Sequence, residues 1–402
     1  MTTKTSHPRL DVDLTTPEPV PEAGVERAVE LLRSGRLFRY GETGDAEHEA
    51  ALLEEEFAAL VGRRYCVAVS SGGAGLFLAL RSLGVGPGDT VLLNAFTLAP
   101  VPGAVEHTGA TTRLVDITPD LVIDLDDLER QAAAGARVLL LSHMRGHLAD
   151  LDAVTEICSR HGVLLVEDCA HSLGARWRDR PSGTFGAVGV FSAQTFKHLN
   201  AGEGGLLVTD DDEVAARAIL ASGSYMLYEQ HRARPPVEVF TALRGTVPNL
   251  SSRLSDLAAA VLRPQLPLLD ERVAAWNARH DRVVAGLRGV VGLRLPARPA
   301  EESYVGSSLQ FALTELPAER FERFVDGCGR AGVHVKWFGA AEARGFTSTP
   351  DHWTYLGDQA APPRARDVLS RVCDLRIPLA LSLDDCDLIA RVIRDNLEEA
   401  VA

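Results

Sequence analysis

Three things are scarce in this chain of 402 residues: cysteine, positive charge and long apolar runs. The six cysteines (Cys66, Cys158, Cys169, Cys328, Cys373, Cys386) are scattered, with no CxxC pair and no His–Cys spacing. That pattern excludes a zinc knuckle or a disulfide frame, predicts buried reduced thiols and leads to no metal being expected. Lys and Arg number 41 against 55 Asp and Glu, a formal charge of -14 that repels nucleic-acid phosphates and anionic membrane surfaces. No apolar run approaches the length of a membrane-spanning helix. The first residues have neither the apolar core of a signal peptide nor an Arg-rich amphipathic pattern. A cytoplasmic protein with no nucleic-acid and no membrane partner is expected.

With 46% hydrophobic residues, the chain is long enough to bury a large core in more than one domain. Residues 1–24 form a Pro- and Thr-rich arm expected to drape over the surface or over a partner subunit. Helical spacing occupies 22–34 and 46–60, the second helix opened by Asp45 as its cap. Its Glu54-Glu55-Glu56 run reads as a solvated face. From residue 65 the pattern alternates: strands at 66–70, 90–93, 112–117, 138–142 and 163–166 are separated by helices at 74–83, 98–107, 126–134 and 151–160. This spacing predicts an α/β protein with a parallel or mostly parallel sheet covered on both faces, and ligands in such sheets lie at the carboxyl ends of the strands. A helix is expected over 254–266. Beyond it come a long helix, weaker strands (309–313, 333–337), helices (318–331, 383 onward) and a loop-rich stretch at 339–363, the make-up of a smaller α+β domain. The division read from the sequence is an arm at 1–24, a large domain at 25–266 and a small domain at 267–402.

The strand ends gather the residues with chemistry. Ser70-Ser71-Gly72-Gly73-Ala74 follows one strand and opens a helix, so its free N–H groups can hold a phosphate. Phe96 follows the next strand, Arg145 and His147 follow a third, and Asp168 with His171 a fourth. Lys197 lies between an apolar strand and the glycine turn Gly202-Glu203-Gly204-Gly205. A lysine desolvated there would have a lowered pKa and could form a Schiff base, although taken alone it reads equally as a surface lysine. Cys169 reads as a small core filler. The aromatic and basic segment 223–236 reads as a substrate loop or as an ordinary connection. Gly72-Gly73-Ala74-Gly75 does not complete a dinucleotide loop, and the acidic residue such a loop needs is missing from TVLLN.

Five motifs in order, SSGGAGLFLAL, NAFT, VEDCAHSLGA, FSAQTFKHLNAGEGG and NLSSRLSDLAAAV, resemble the DegT/DnrJ/EryC1/StrS group of fold-type I pyridoxal 5′-phosphate aminotransferases, which aminate keto-sugars and cyclitols. The resemblance implies an aspartate-aminotransferase-like fold and a homodimer whose sites are shared between subunits. It implies that Lys197 carries the cofactor, that Asp168 pairs with its ring nitrogen and that Phe96 stacks on the ring. Gly72, Gly73, Ala74 and Ser192 would hold the phosphate, with Asn249 and Ser251 among the cofactor-binding residues. His171 would lie near the phenolic oxygen, and Glu203 would be structural. L-Glutamate or L-glutamine would give the amino group, and a carbonyl compound would receive it. Gly73, Phe196 and Ser251 depart from the family's usual residues, and so do Gln194 and Arg145, both expected to face the substrate. Arg145, helped by Lys336 or Arg232, could clamp a substrate carboxylate, or it could pair with a structural acid. The retained lysine also permits elimination, dehydration or another carbanion reaction on an amino acid.

Overall fold

Short runs of aliphatic and β-branched residues build the main sheet: β1 Tyr65–Val69, β2 Thr90–Asn94, β3 Thr111–Val115, β4 Val138–Ser142 and β5 Leu164–Asp168. A small hairpin, β6 Arg176–Trp177 and β7 Arg180–Pro181, precedes β8 Val188–Ser192 and β9 Gly205–Thr209. The structure is a computed structural model and describes residues 9–41, 47–357, 359 and 361–401. The seven strands run in the order β1-β9-β8-β5-β4-β2-β3. β9 is antiparallel to both neighbours and the other pairs are parallel, as the mostly parallel expectation required. Both faces are covered. In β1, Val67 and Val69 enter one core and Cys66 and Ala68 another, and in β4 Val138 and Leu140 alternate with Leu139 and Leu141 in the same way. Strands buried on both faces have no polar alternation, which is why these runs are continuously apolar.

The rest of the chain adds β10 Leu293–Arg294, β11 Glu302–Ser303, β12 Ser308–Leu313, β13 Lys336–Trp337 and β14 Val372–Arg376. Four of them form an antiparallel sheet in the order β10-β12-β14-β13, and β11 extends the small hairpin. Helices Leu269–Leu287 and Leu383–Val401 share a separate core with this sheet. No helix among the described residues is long and apolar enough to cross a membrane.

Several expectations need correction. Strand β14 was not anticipated, and the strand expected at 333–337 shrinks to Lys336–Trp337. The helix expected at 254–266 is Asp256–Leu262 followed by a 3₁₀ turn Arg263–Leu268, where Pro264 and Pro267 remove backbone donors. The second helix is Glu49–Val61; Asp45 and Ala46 lie outside the described residues, and Asp256 Oδ1 instead accepts from Ala50 N at 3.0 Å. Glu54 is buried rather than solvated, accepting from Arg39 at 2.8 Å through both oxygens and from Ala68 N at 2.8 Å. The described part of the arm is pinned: Leu10 and Leu14 enter the second core, and Leu10 N donates to Ala331 O at 2.9 Å.

Candidate active site

β4, β5 and β8 run side by side, so their carboxyl ends place Ser142, Asp168 and Ser192 along one edge of a cavity of about 520 Å³. Three other cavities are of similar size. What distinguishes this one is that a lysine, a carboxylate and a helix N-terminus converge on it.

Ser71 opens the helix Gly72–Ser82, its side chain accepting from Ala74 N at 3.1 Å. That capping bond uses the Ala74 N–H, which the sequence reading had assigned to a phosphate. Gly72 and Gly73 line the cavity at the first turn, where N–H groups have no partner within the helix. A Cβ on Gly72 would come within 3.0 Å of Ser192 Cβ, so the glycine is what lets the Ser192 hydroxyl approach the helix end. The cup is shaped for a phosphate, with fewer hydroxyls than a richer loop would supply.

Asp168 is held by two donors, Ser142 Oγ at 2.7 Å and Ala170 N at 3.1 Å. Ser142 is itself fixed: its N–H donates to Asn94 Oδ1 at 2.8 Å, and Asn94 Nδ2 donates to the Ser142 carbonyl at 3.1 Å. Sequence reasoning passed over Ser142, although a hydroxyl at the end of β4, in register with Asp168, was the available signal. Next to Asp168, Glu167 faces away. Its oxygens accept from Gly183, Phe185 and Gly186 N–H groups and contact His143 at 3.0 Å. The Glu167 carboxylate is therefore filled by its own partners, with buried Cys169 beside it. Burial pushes the Cys169 thiol well up, as befits a core filler.

Lys197 Nζ sits 2.6 Å from His171 Nε2. Burial pulls its pKa down to about 7; the charge of Arg145 adds to this and that of Asp168 opposes it. Burial, reinforced by the charges of Lys197 and Arg145, also holds His171 well below the usual imidazole range. The arrangement presents an amine that is neutral for part of the time at neutral pH, beside a neutral imidazole. Gln194 lines the cavity, its side-chain Oε1 accepting from Phe196 N at 3.0 Å.

Other expected residues go elsewhere. Phe96 is fully buried and packs edge-on against Phe338 at 5.3 Å; Leu98, two residues further, takes the place on the cavity wall. Arg145 does not line the cavity. It pairs with buried Asp374 at 2.9 Å and donates to Phe346 O at 3.1 Å, so the structural-acid alternative describes it. Arg232, proposed as its helper, pairs with Glu55 at 2.6 Å and with Glu47. Lys336 Nζ stands 5.7 Å from the Phe346 ring centre. Asn249 and Ser251 are exposed and lie outside the cavity, where Asn249 Oδ1 accepts from Ser251 N at 2.7 Å. Segment 223–236 is a connection for much of its length: His231 is buried against Tyr40 Oη at 2.7 Å. The loop-rich stretch does reach the cavity, through Gly345, Phe346 and Ser348, and so does Glu203.

The sequence profile of the DegT/DnrJ/EryC1/StrS aminotransferase family matches residues 22–394. The 3-amino-5-hydroxybenzoate synthase of Amycolatopsis mediterranei is 32% identical over 353 residues, 86% of this chain and 84% of that protein. The L-glutamine:scyllo-inosose aminotransferase of Streptomyces griseus is 40% identical over 232 residues, 56% of this chain and only 52% of that protein. The crystal structure of the aminotransferase TlmJ from Streptoalloteichus hindustanus superposes with a TM-score of 0.82 at 27% identity, covering 96% of this chain and 99% of that one. These matches select transamination over the other carbanion reactions that a reactive lysine permits. The chain belongs to the DegT/DnrJ/EryC1/StrS aminotransferase family.

Proposed function

We propose that the chain is a pyridoxal 5′-phosphate-dependent aminotransferase that takes an amino group from L-glutamine or L-glutamate and delivers it to a cyclitol, keto-sugar or related carbonyl acceptor. The setting would be secondary-metabolite or polysaccharide biosynthesis. The observation that carries this reading is the convergence of Lys197, Asp168 and the Gly72-Gly73 helix end on one cavity. The cavity is large enough for a cofactor, its two ends have opposite electrostatic character, and Gly72 lets the Ser192 hydroxyl approach the helix end where a phosphate would bind. When bound, the cofactor supplies an aldehyde for the lysine and an electron-poor ring that draws electrons from a substrate C–H bond. Gly72 and Gly73 N–H groups and the Ser192 hydroxyl would bind its phosphate. Asp168, oriented by Ser142 and Ala170, would hold a proton on the ring nitrogen. Lys197 would form the covalent link and, once released, move a proton at the substrate carbon, with His171 fixing the position of Nζ. Leu98, rather than Phe96, would cover the ring.

The donor and acceptor classes rest on the relatives named for L-glutamine, scyllo-inosose and 3-amino-5-hydroxybenzoate. A cytoplasmic setting agrees with six free, buried cysteines. We also infer a homodimer in which the exposed Asn249–Ser251 segment completes the partner's site. The test is a visible spectrum of the protein with added cofactor, before and after L-glutamine. A band that forms and then fades as a 2-oxo acid accumulates is expected. Lys197→Ala should show neither the band nor turnover, and turnover by that variant would overturn the assignment.

A further inference from the structure

Beside the cavity wall, one acid faces three cations. Asp374 and Arg376 are two residues apart on β14 and so share a face of the strand, and Lys336 on β13 is in register with Asp374. Arg145 is the third cation. The Asp374 carboxylate is already committed, to Arg145 at 2.9 Å and to Gln310 Nε2 at 2.8 Å. Neither Arg376 nor Lys336 forms an ion pair among the described residues. Arg376 Nη1 is buried with no hydrogen-bond partner. Asp13, Glu18 and Asp374 are the acids around Arg376, and none is close enough to pair with it.

Both cations sit on aromatic rings that lead to the reaction centre. The Arg376 guanidinium is 4.5 Å from the ring centre of Phe196, the residue before Lys197, and Lys336 Nζ is 5.7 Å from that of Phe346, which lines the cavity. The two rings meet edge to face at 6.3 Å. Arg376 is also near enough to Lys197 for its charge to help depress the lysine's pKa. Burial lowers the pKa of Arg376 and of Lys336; the charge of Arg145 adds to it in both, that of Arg376 adds to it in Lys336, and Asp374 opposes it. An uncompensated, partly buried guanidinium is costly unless an anion arrives to pair with it, and its planar fork suits a carboxylate.

We propose that Arg376, assisted by Lys336, binds the α-carboxylate of the amino donor. This rests on the aminotransferase reading. The donor's α-carboxylate is attached to the carbon whose nitrogen must reach Lys197, so its anchor has to lie within a few bonds of that amine. Arg376 is the guanidinium stacked on Phe196, the residue before Lys197, and it forms no ion pair among the described residues. Arg145, which already has one, is excluded from the role and keeps the Phe346 carbonyl in place.

The test uses the full-length, cofactor-loaded protein and follows the fading of its visible band in single turnovers with L-glutamine and with its α-carboxamide. Loss of one charge-assisted, two-point contact predicts that Arg376→Met raises the L-glutamine concentration for half-saturation by about 10- to 100-fold. The wild-type preference for L-glutamine over the α-carboxamide should collapse, and Arg376→Lys should recover part of it. Lys336→Met should produce a smaller loss, about 3- to 10-fold. If Arg376→Met does not fold, Arg376→Lys and Lys336→Met carry the test by the same ratio. A preference that survives in variants with an intact band would overturn the proposal. A wild-type protein that forms no band would instead remove the aminotransferase reading on which it rests.

Discussion

Lys197 is where a single titration reports on the whole site. Burial, aided by Arg145, sets its pKa near 7, against its ordinary 10.5. The neutral amine is the nucleophile, so cofactor-free protein should react with pyridoxal at Lys197 faster as pH rises, levelling off above about 7, whereas exposed lysines keep accelerating to about 10. Borohydride trapping followed by peptide mass spectrometry would measure this, and a Lys197 profile parallel to that of the exposed lysines would contradict the desolvated site. The sign for stability follows from the same depression. Between about 7 and 10.5 the unfolded chain holds a proton that folded Lys197 has released. Its contribution to stability therefore rises with pH across that window and is least favourable below it.

At the scale of elements, two contacts tie the active-site edge to the rest of the fold. The first is the buried pair of Arg145, in the turn after β4, with Asp374 on β14, extended through Gln310 to His147 at 2.7 Å. Asp374→Leu leaves the Arg145 charge without its partner, and a stability loss of about 3–5 kcal/mol is expected; adding Arg145→Met to it should restore much of that loss. Denaturant melts of the two singles and the double would measure the coupling, and additive losses would show that the pair is not coupled. The second contact is β9 against the helix start. A Cβ on Gly205 would meet the Ser71 carbonyl at an impossible 2.3 Å. Gly205→Ala should therefore displace the phosphate cup and weaken cofactor binding by at least about tenfold, read by titration of the visible band. These contacts also explain what the sequence could show. Strands buried on both faces announce themselves as apolar runs, and the cup, Asp168 and Lys197 follow from where those runs end. Arg145 was legible as unusual, with a structural acid as one of its two readings, but which acid pairs with it was not, because Asp374 lies on a strand far along the chain. Phe96 was misplaced because the face a residue shows just past a strand depends on the turn, which here gives Leu98 to the cavity. Glu54 sat in an acidic run that reads as surface, and only the position of Arg39 brings it inside.

At the scale of the whole molecule, one surface stands out. Phe38, Tyr225, Met226 and Leu250 are 48%, 59%, 43% and 48% exposed, and Arg253 lies between the first two rings, 5.4 Å from Phe38 and 5.2 Å from Tyr225. Ser251, with a left-handed φ of 55°, stands in the same surface, its hydroxyl 3.2 Å from Tyr225 Oη. A cluster of exposed apolar side chains of this kind is where the proposed dimer would pack, and its polar centre contains Ser251, which does not line the Lys197 cavity of its own subunit. In the proposed dimer, each site takes Lys197 from one chain and Ser251 from the other. That geometry makes a prediction no single variant can: Lys197→Ala and Ser251→Arg are each inactive alone, but a heterodimer of the two holds one intact site. Unfolding and refolding an equal mixture should place half of the chains in such heterodimers, so about one quarter of wild-type activity should return. If Ser251 instead served its own subunit, the mixture would stay inactive, because no site could then combine a native lysine with a native serine.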